Sequence, residues 1–348
     1  MAEDFSPQNN HFILGQEEAE RVFLRAWKNN TLHHSLILSG EYGIGKATLA
    51  YRIARFLLSA DEKKRDNYTS LNISPDNPIF QQTAKGAHPD LMVLERDYTE
   101  TDKRKLISSI RKGEVMDSEE MAALKRSAFI RVDDVRKVSD FLSKTSFNDG
   151  WRIVIIDSAD DMNKSAANAL LKILEEPPAK TLLLLISHNM SRLLPTIRSR
   201  CAKIPLKLLN NAEVSSLLRR YRPELSETMI ARLAEMSGGS IGRALMYADE
   251  NAVSLYDDMC RLLCARQNYK LSSLLEFCDK AVSSPEMFKL TEEILQKFLK
   301  DSMKDCGDKE EWYALWNETR RRFADCININ MDKRLMLIGL LNKICKVL

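Results

Sequence analysis

Between residues 39 and 50 the chain reads SGEYGIGKATLA, an almost complete phosphate-binding loop. Such a loop works because successive backbone N–H groups curl around phosphate oxygens. Glycines permit the curl, and the helix that follows points its positive end at the anion. Gly40, Gly43 and Gly45 supply the permissive positions, and Lys46 can reach the terminal phosphates of a nucleotide such as ATP. The residue after the lysine normally ligates Mg²⁺ through a hydroxyl. Ala47 has no oxygen to offer. Thr48 comes one residue later, turned about 100° around the helix, and is a poor substitute. Taken alone, the motif also fits a glycine-rich strand-to-helix turn that binds nothing.

A second element bears on the same chemistry. Residues 152–157, RIVIID, read as a buried strand ending in a carboxylate, the Walker B layout that places Asp157 near a metal. Hydrolysing enzymes of this type usually follow that Asp with a Glu that activates water, and here the next residue is Ser158. A serine cannot serve as general base near neutral pH without help of its own. With the metal hydroxyl and the water-activating carboxylate both absent, the pattern points to a site that does not hydrolyse ATP. A third element is SRLLPTIRSRC, residues 191–201. Its Arg200 stands between two β-like runs, where an arginine can be lent to a neighbouring molecule's phosphates as a finger. A solvated surface arginine fits the same local sequence.

These residues need elements to hold them. Candidate strands are Ser35–Ser39, Leu91–Leu94, Trp151–Asp157, Thr181–Ser187 and Ala202–Leu206. Helical patterns lie between them. Leu49, Ile53, Phe56 and Leu57 share one face, and NKSAANALLKILEE carries Ala166, Ala167, Leu170, Leu171 and Leu174 at helical spacing. Asn163 can cap that helix and Pro177–Pro178 stop it. Strands alternating with helices imply a parallel sheet with crossovers. The polar, turn-rich stretch 61–89 reads as an inserted loop or a small excursion, and 96–126 as loop with a charged helix.

From about Leu208 the β signal disappears and the pattern is helical to the end. One short helix is closed by Gly238–Gly239, and Ser284–Pro285 opens another. Leu255, Met259, Leu262 and Leu263 share a face. The final RLMLIGLLNKICKVL is apolar enough to be the core of its own bundle or to pack on another chain.

Composition excludes several classes. At 348 residues the chain is long enough for two or three domains, and its 44% hydrophobic and 29% charged residues describe a globular protein. A net charge of +3 gives no bulk basic footprint for DNA. No apolar run reaches the roughly 18 residues of a membrane span, and the acidic, polar N-terminus is unlike a signal peptide, so the cytoplasm is the expected location. The seven cysteines, Cys201, Cys260, Cys264, Cys278, Cys306, Cys326 and Cys345, form no C-x-x-C pair, and neither a disulfide framework nor a zinc site is expected. Cys260 and Cys264 are expected to pack in a buried helix face.

The order of these pieces resembles the clamp-loader branch of the AAA+ family. The residues that carry the resemblance are GEYGIGKAT (40–48), HPDLMVLE (88–95), FIRVDDVRKV (129–138), WRIVIIDSADDMNKSAANALLKILEEPP (151–178), LPTIRSRC (194–201) and GGSIGRAL (238–245). They span most of residues 12–248, and the NKSAANALLKILEEPP block with Ser-Arg-Cys downstream is highly specific. The C-terminal hundred residues match only in length and helical character.

The resemblance implies an α/β P-loop parallel-sheet domain over 1–207, a small helical lid over 208–250 and an all-α collar over 251–348. It makes Arg200 the trans-acting finger for an adjacent subunit's ATP. It makes Arg243 the sensor-2 arginine, which could equally be a helix-surface residue. Asn189 falls near the sensor-1 position, and Gly15–Gln16 match the segment beside the adenine. Partners would be motor and delta-type subunits of a hetero-pentamer, with a sliding clamp and primed DNA reached through the complex. Related motor subunits carry Lys followed by Thr or Ser and a Walker B Asp-Glu. Lys46–Ala47 and Asp157–Ser158 therefore favour a non-hydrolysing member. Many relatives place four zinc-binding cysteines before HPD, and residues 59–87 contain none. Two alternatives remain: an active ATPase of the motor or branch-migration type, and a scaffold with an idle Arg200.

Overall fold

Parallel strands need crossovers of a dozen or more residues, and the amphipathic stretches after each apolar run supply them. The computed structural model describes residues 5–112, 124–144, 146, 150–265, 270–303, 309–328 and 331–347. The chain divides into two compact units, residues 1–223 with 238–242, and residues 224–237 with 243–348.

In the first unit β1 (Ser35–Ser39), β2 (Leu91–Leu94), β3 (Arg152–Ile156), β4 (Thr181–Ser187) and β5 (Ala202–Pro205) form one sheet in the order β2-β3-β4-β1-β5. All its pairings are parallel. Leu36 stands opposite Leu184 on one side and Ala202 on the other. Trp151, Asp157 and Leu206 fall just outside the strands expected to include them, as end residues do when a ladder frays. β3 and β4 are buried along their whole length, the continuous apolar run of a sheet covered on both faces.

The helices of this unit are α1 (Glu17–Lys28), α2 (Lys46–Ser59), α3 (Pro78–Ala84), α4 (Glu100–Lys112), α5 (Val132–Ser143), α6 (Lys164–Glu175) and α7 (Pro195–Ser199). On one face Phe23, Trp27, Leu49, Ile53 and Phe56 from α1 and α2 pack on Leu36, Leu38, Ile155 and Leu184. On the other, Val135, Val138, Leu170, Leu174 and Ile197 from α5, α6 and α7 pack on Ile37, Val154 and Leu185. The Asn163 side chain accepts the Ala166 N–H at 2.8 Å and caps α6. Helix α8 (Asn211–Tyr221) belongs to this unit as well.

The second unit is helical: α9 (Glu227–Met236), α10 (Ile241–Asp249, from Arg243 onward), α11 (Ala252–Cys264), α12 (Leu271–Ala281), α13 (Pro285–Ser302), α14 (Lys309–Asn328) and α15 (Lys333–Val347). Ser284 caps α13 through the Met287 N–H at 3.0 Å. Helix α15 buries Met336, Leu337, Leu340, Leu341 and Ile344 within its own unit, against α12 and α14. Its apolar character is thus that of a bundle core. The cysteine expectation on α11 fails: Cys260 is half-buried and Cys264 exposed. The buried stripe is Leu255, Met259, Leu262 and Leu263, and each cysteine lies one residue, about 100°, past it. Cys306 and residues 113–123 lie outside the described residues. No described helix is long and apolar enough to cross a membrane.

Of the two readings, the segment 61–89 is the small excursion and not a plain loop. It folds into a 3-10 turn, Glu62–Asn67, and α3, and it buries Leu71, Phe80 and Thr83. Tyr68 sets its ring edge-on to Trp27 and Phe56, with centroids 5.5 and 5.2 Å apart. The few apolar residues that do this are too widely spaced to give a periodic signal. Phe80 and Thr83 meet Arg55 of α2, which is 1% exposed. Its guanidinium donates to Thr83 Oγ1 at 3.1 Å, to Asn10 O at 3.0 Å and to Gln8 O, and it lies 3.9 Å from the Phe80 ring centre. Burial pulls its pKa down to about 10, yet the charge stays because every direction of the fork meets an acceptor or a ring. Arg55→Met is expected to lower the unfolding free energy by about 3 kcal/mol, because three acceptors lose a charged donor while the stem volume is kept. A urea titration with an unchanged midpoint would refute this. Arg55→Lys is expected to recover only part of the loss, since an ammonium cannot reproduce the fork.

Candidate functional site

The phosphate loop forms as the glycines require. Gly43 and Gly45 take φ of 74° and 98°, in the left-handed region that side chains disfavour. A Cβ on Gly43 would stand 2.5 Å from Ser240 Oγ and 2.9 Å from the Gly242 Cα. The closeness comes from residues 238–242, which cross over the loop. Gly242 N donates to Gly43 O at 2.9 Å and Ser240 Oγ donates to Tyr42 O at 2.8 Å. Lys46 is 3% exposed. Its ammonium donates to Gly40 O at 2.8 Å and to Glu41 O, so the loop's own carbonyls satisfy much of its charge. Thr48 is buried and Ala47 packs against the core on the α2 side of the sheet. The cradle has the shape of a phosphate site but lacks a metal-ligating hydroxyl after the lysine.

At the end of β3, burial and the field of Glu95 raise the pKa of Asp157 above the ordinary carboxylate range, against hydrogen bonds from Ser158 and the charge of Lys46. Ser158 adopts a left-handed φ of 58°. Its Oγ lies 3.4 Å from Asp157 Oδ1 and 3.2 Å from His188 Nε2. His188 follows β4, and its ring meets that of Tyr42 edge-on at 5.2 Å. Burial, aided by Lys46, pulls its pKa down to about 4, so the imidazole is neutral at pH 7. Its backbone N–H and that of Asn189 are both held by the Asp160 carboxylate, at 3.0 and 3.1 Å. A neutral ring and a hydroxyl therefore stand where a hydrolysing site keeps a carboxylate. The sequence marks His188 only by its place immediately after a strand, which Asn189 shares.

Asn189 itself is exposed and caps a 3-10 turn, accepting from Ser191 N at 3.0 Å and Ser191 Oγ at 2.6 Å. Gln16 is buried, and its side chain clips Lys207 to the loop: Nε2 donates to Lys207 O at 2.8 Å and to Ile44 O at 3.3 Å, while Oε1 accepts from Lys207 N at 3.2 Å. Arg243 begins the second unit's share of α10, one residue beyond the segment that covers the loop. Among the described residues no group of three or more His, Cys, Asp or Glu side chains is placed to hold a metal.

Arg200 lies elsewhere. Its carbonyl accepts the Ser35 hydroxyl at 2.8 Å, at the start of β1, and Ala202 pairs with Leu36. The phosphate loop follows Ser39 at the other end of the same strand. At about 3.3 Å per residue, the four steps from Ser35 to Ser39 put the two sites at opposite ends of the strand, roughly 13 Å apart. The guanidinium donates to Thr196 O at 3.1 Å and pairs with Glu175 Oε1 at 2.8 Å. The two side chains are 37% and 49% exposed. The arginine is engaged, but at the surface.

Comparison with known proteins gives a family. The model of the DNA polymerase III delta subunit family matches residues 15–210. Subunit delta' of DNA polymerase III from Pseudomonas aeruginosa is 35% identical over 207 residues, 60% of this chain and 53% of that protein. Subunit delta' from Bacillus subtilis is 26% identical over 222 residues, 64% of this chain and 56% of that protein. The chain therefore spans little more than half the length of these relatives. Among solved structures, a DNA polymerase III gamma subunit-related protein of Thermotoga maritima is 18% identical, covering 93% of this chain and 99% of that one with a TM-score of 0.45. With more than half its length matched by the family model, the chain belongs to the DNA polymerase III delta subunit family.

Proposed function

We infer that the chain is a delta-prime-type subunit of a bacterial clamp loader, a brace that does not itself hydrolyse ATP. In this reading it joins motor and delta-type subunits in a hetero-pentamer in the cytoplasm, lends Arg200 to a motor neighbour's ATP, and so helps load a sliding clamp at primed DNA. The helical lid over 208–250 and the oligomerising collar over 251–348 belong to the same reading. Arg243 is read as the sensor-2 arginine of the same family pattern. Delta' names among the relatives support the assignment.

One observation carries the finger role: Arg200 sits at the end of the strands remote from the chain's own phosphate loop. A guanidinium there can serve only phosphates that another molecule brings to it. Where such a finger operates, it stabilises the charge of the transferring phosphoryl group and is worth roughly 10³–10⁵ in rate.

The chain's own loop fits phosphate only in part. Gly43 and Gly45 have the required backbone, but Ala47 cannot ligate a metal, Lys46 is turned onto loop carbonyls, and Ser158 with neutral His188 replaces a water-activating carboxylate. These residues do not fit Mg-nucleotide hydrolysis.

Two measurements test this. The purified chain is expected to turn over no ATP above background with Mg²⁺. Turnover abolished by Lys46→Ala would support the motor alternative instead. In the reconstituted complex, Arg200→Ala is expected to lower clamp- and DNA-stimulated ATPase by about tenfold or more, with the complex still assembling on a sizing column. An unchanged rate would leave bracing as the chain's only role.

A further inference from the structure

The pairing of Arg200 with Glu175 assigns a role to the carboxylate. We propose that Glu175 is a positioning residue that parks the Arg200 guanidinium until a neighbouring subunit's triphosphate displaces it. This rests on the finger reading above and adds to it a competitor for the finger.

The backbone on both sides is fixed. Arg200 caps α7 through its N–H to Ile197 O at 3.1 Å, and its carbonyl is held by Ser35 at 2.8 Å. Glu175 is the last residue of α6, and Pro177–Pro178 follow it. Only the two side chains are left to move. A carboxylate at a helix C-terminus faces the negative end of the helix dipole, so a cation beside it is favoured. The nearest carboxylate oxygen, Glu175 Oε1, lies 2.8 Å from Nη2, and the Thr196 carbonyl accepts from Nη1 at 3.1 Å. Both side chains are substantially exposed, at 37% and 49%, so solvent screens the attraction. A triphosphate offers more charge and several oxygens, which a planar fork binds bidentately. The parked state is stable enough to be the resting arrangement and weak enough to be displaced.

Competition of this kind raises the ATP concentration needed to engage the finger and leaves the chemistry unaltered once it is engaged. In the reconstituted clamp-loader complex, Glu175→Gln is expected to lower the half-saturating ATP concentration about threefold, with maximal turnover within about twofold of wild type. The Glu175→Gln/Arg200→Ala double variant is expected to match Arg200→Ala alone, because the carboxylate acts only through the arginine. If Arg200→Ala slows the complex but Glu175→Gln leaves half-saturation unchanged or raises it, parking is wrong and the finger stands. If the double variant differs from Arg200→Ala, the carboxylate acts by some other route and parking is again wrong. If Arg200→Ala has no effect, the finger reading falls and parking falls with it. Equal sizing profiles and thermal midpoints for the variants separate these outcomes from misfolding.

Discussion

The register of β1 between β4 and β5 governs where Lys46 and Arg200 stand. Because β5 runs parallel to β1, with Ala202 opposite Leu36, the residue that leads into β5 is held at the strand end where β1 begins. The phosphate loop leaves β1 at its other end. Asp157 and His188 leave β3 and β4 at that same end, which gathers Lys46, Asp157, Ser158 and His188 into one neighbourhood. A parallel sheet thus sorts the residues into two sites that cannot serve one another, an inward cradle and an outward arginine.

The cradle is governed by the cost of burying polar groups. An ammonium that is 3% exposed needs acceptors, and the carbonyls of Gly40 and Glu41 supply them. The crossing segment adds its own bonds through Ser240 and Gly242. The result is a loop that keeps the conformation of a phosphate site while much of its hydrogen bonding is turned inward. His188 fits the same pattern: a neutral ring beside Lys46 avoids a second positive charge in a poorly solvated corner.

The two arginines Arg55 and Arg200 mark the extremes of the same chemistry. Arg55 is buried among fixed carbonyls and rings, and its charge is structural because each direction of its fork is occupied. Arg200 has a fixed backbone and an exposed head, held by a pair that water screens. Residue type alone separates them in no way. Solvent exposure and the number of occupied donors do.

The linear chain by itself determined the alternation of strands and helices, the caps at Asn163 and Ser284, the left-handed glycines of the loop, and the missing hydroxyl and carboxylate at Ala47 and Ser158. These are local properties, written in spacing and residue type within a dozen positions. The tertiary structure alone decided the packing of the polar stretch 61–89, whose Leu71, Phe80 and Thr83 are too scattered to leave a periodic trace. It also decided the exposure of Cys264, the clip made by Gln16, the presence of His188 beside Ser158, and the pairing of Glu175 with Arg200. Each of those depends on residues tens or hundreds of positions apart, or on which face of an element turns inward. No local pattern encodes such meetings, because only the register of the sheet brings the partners together.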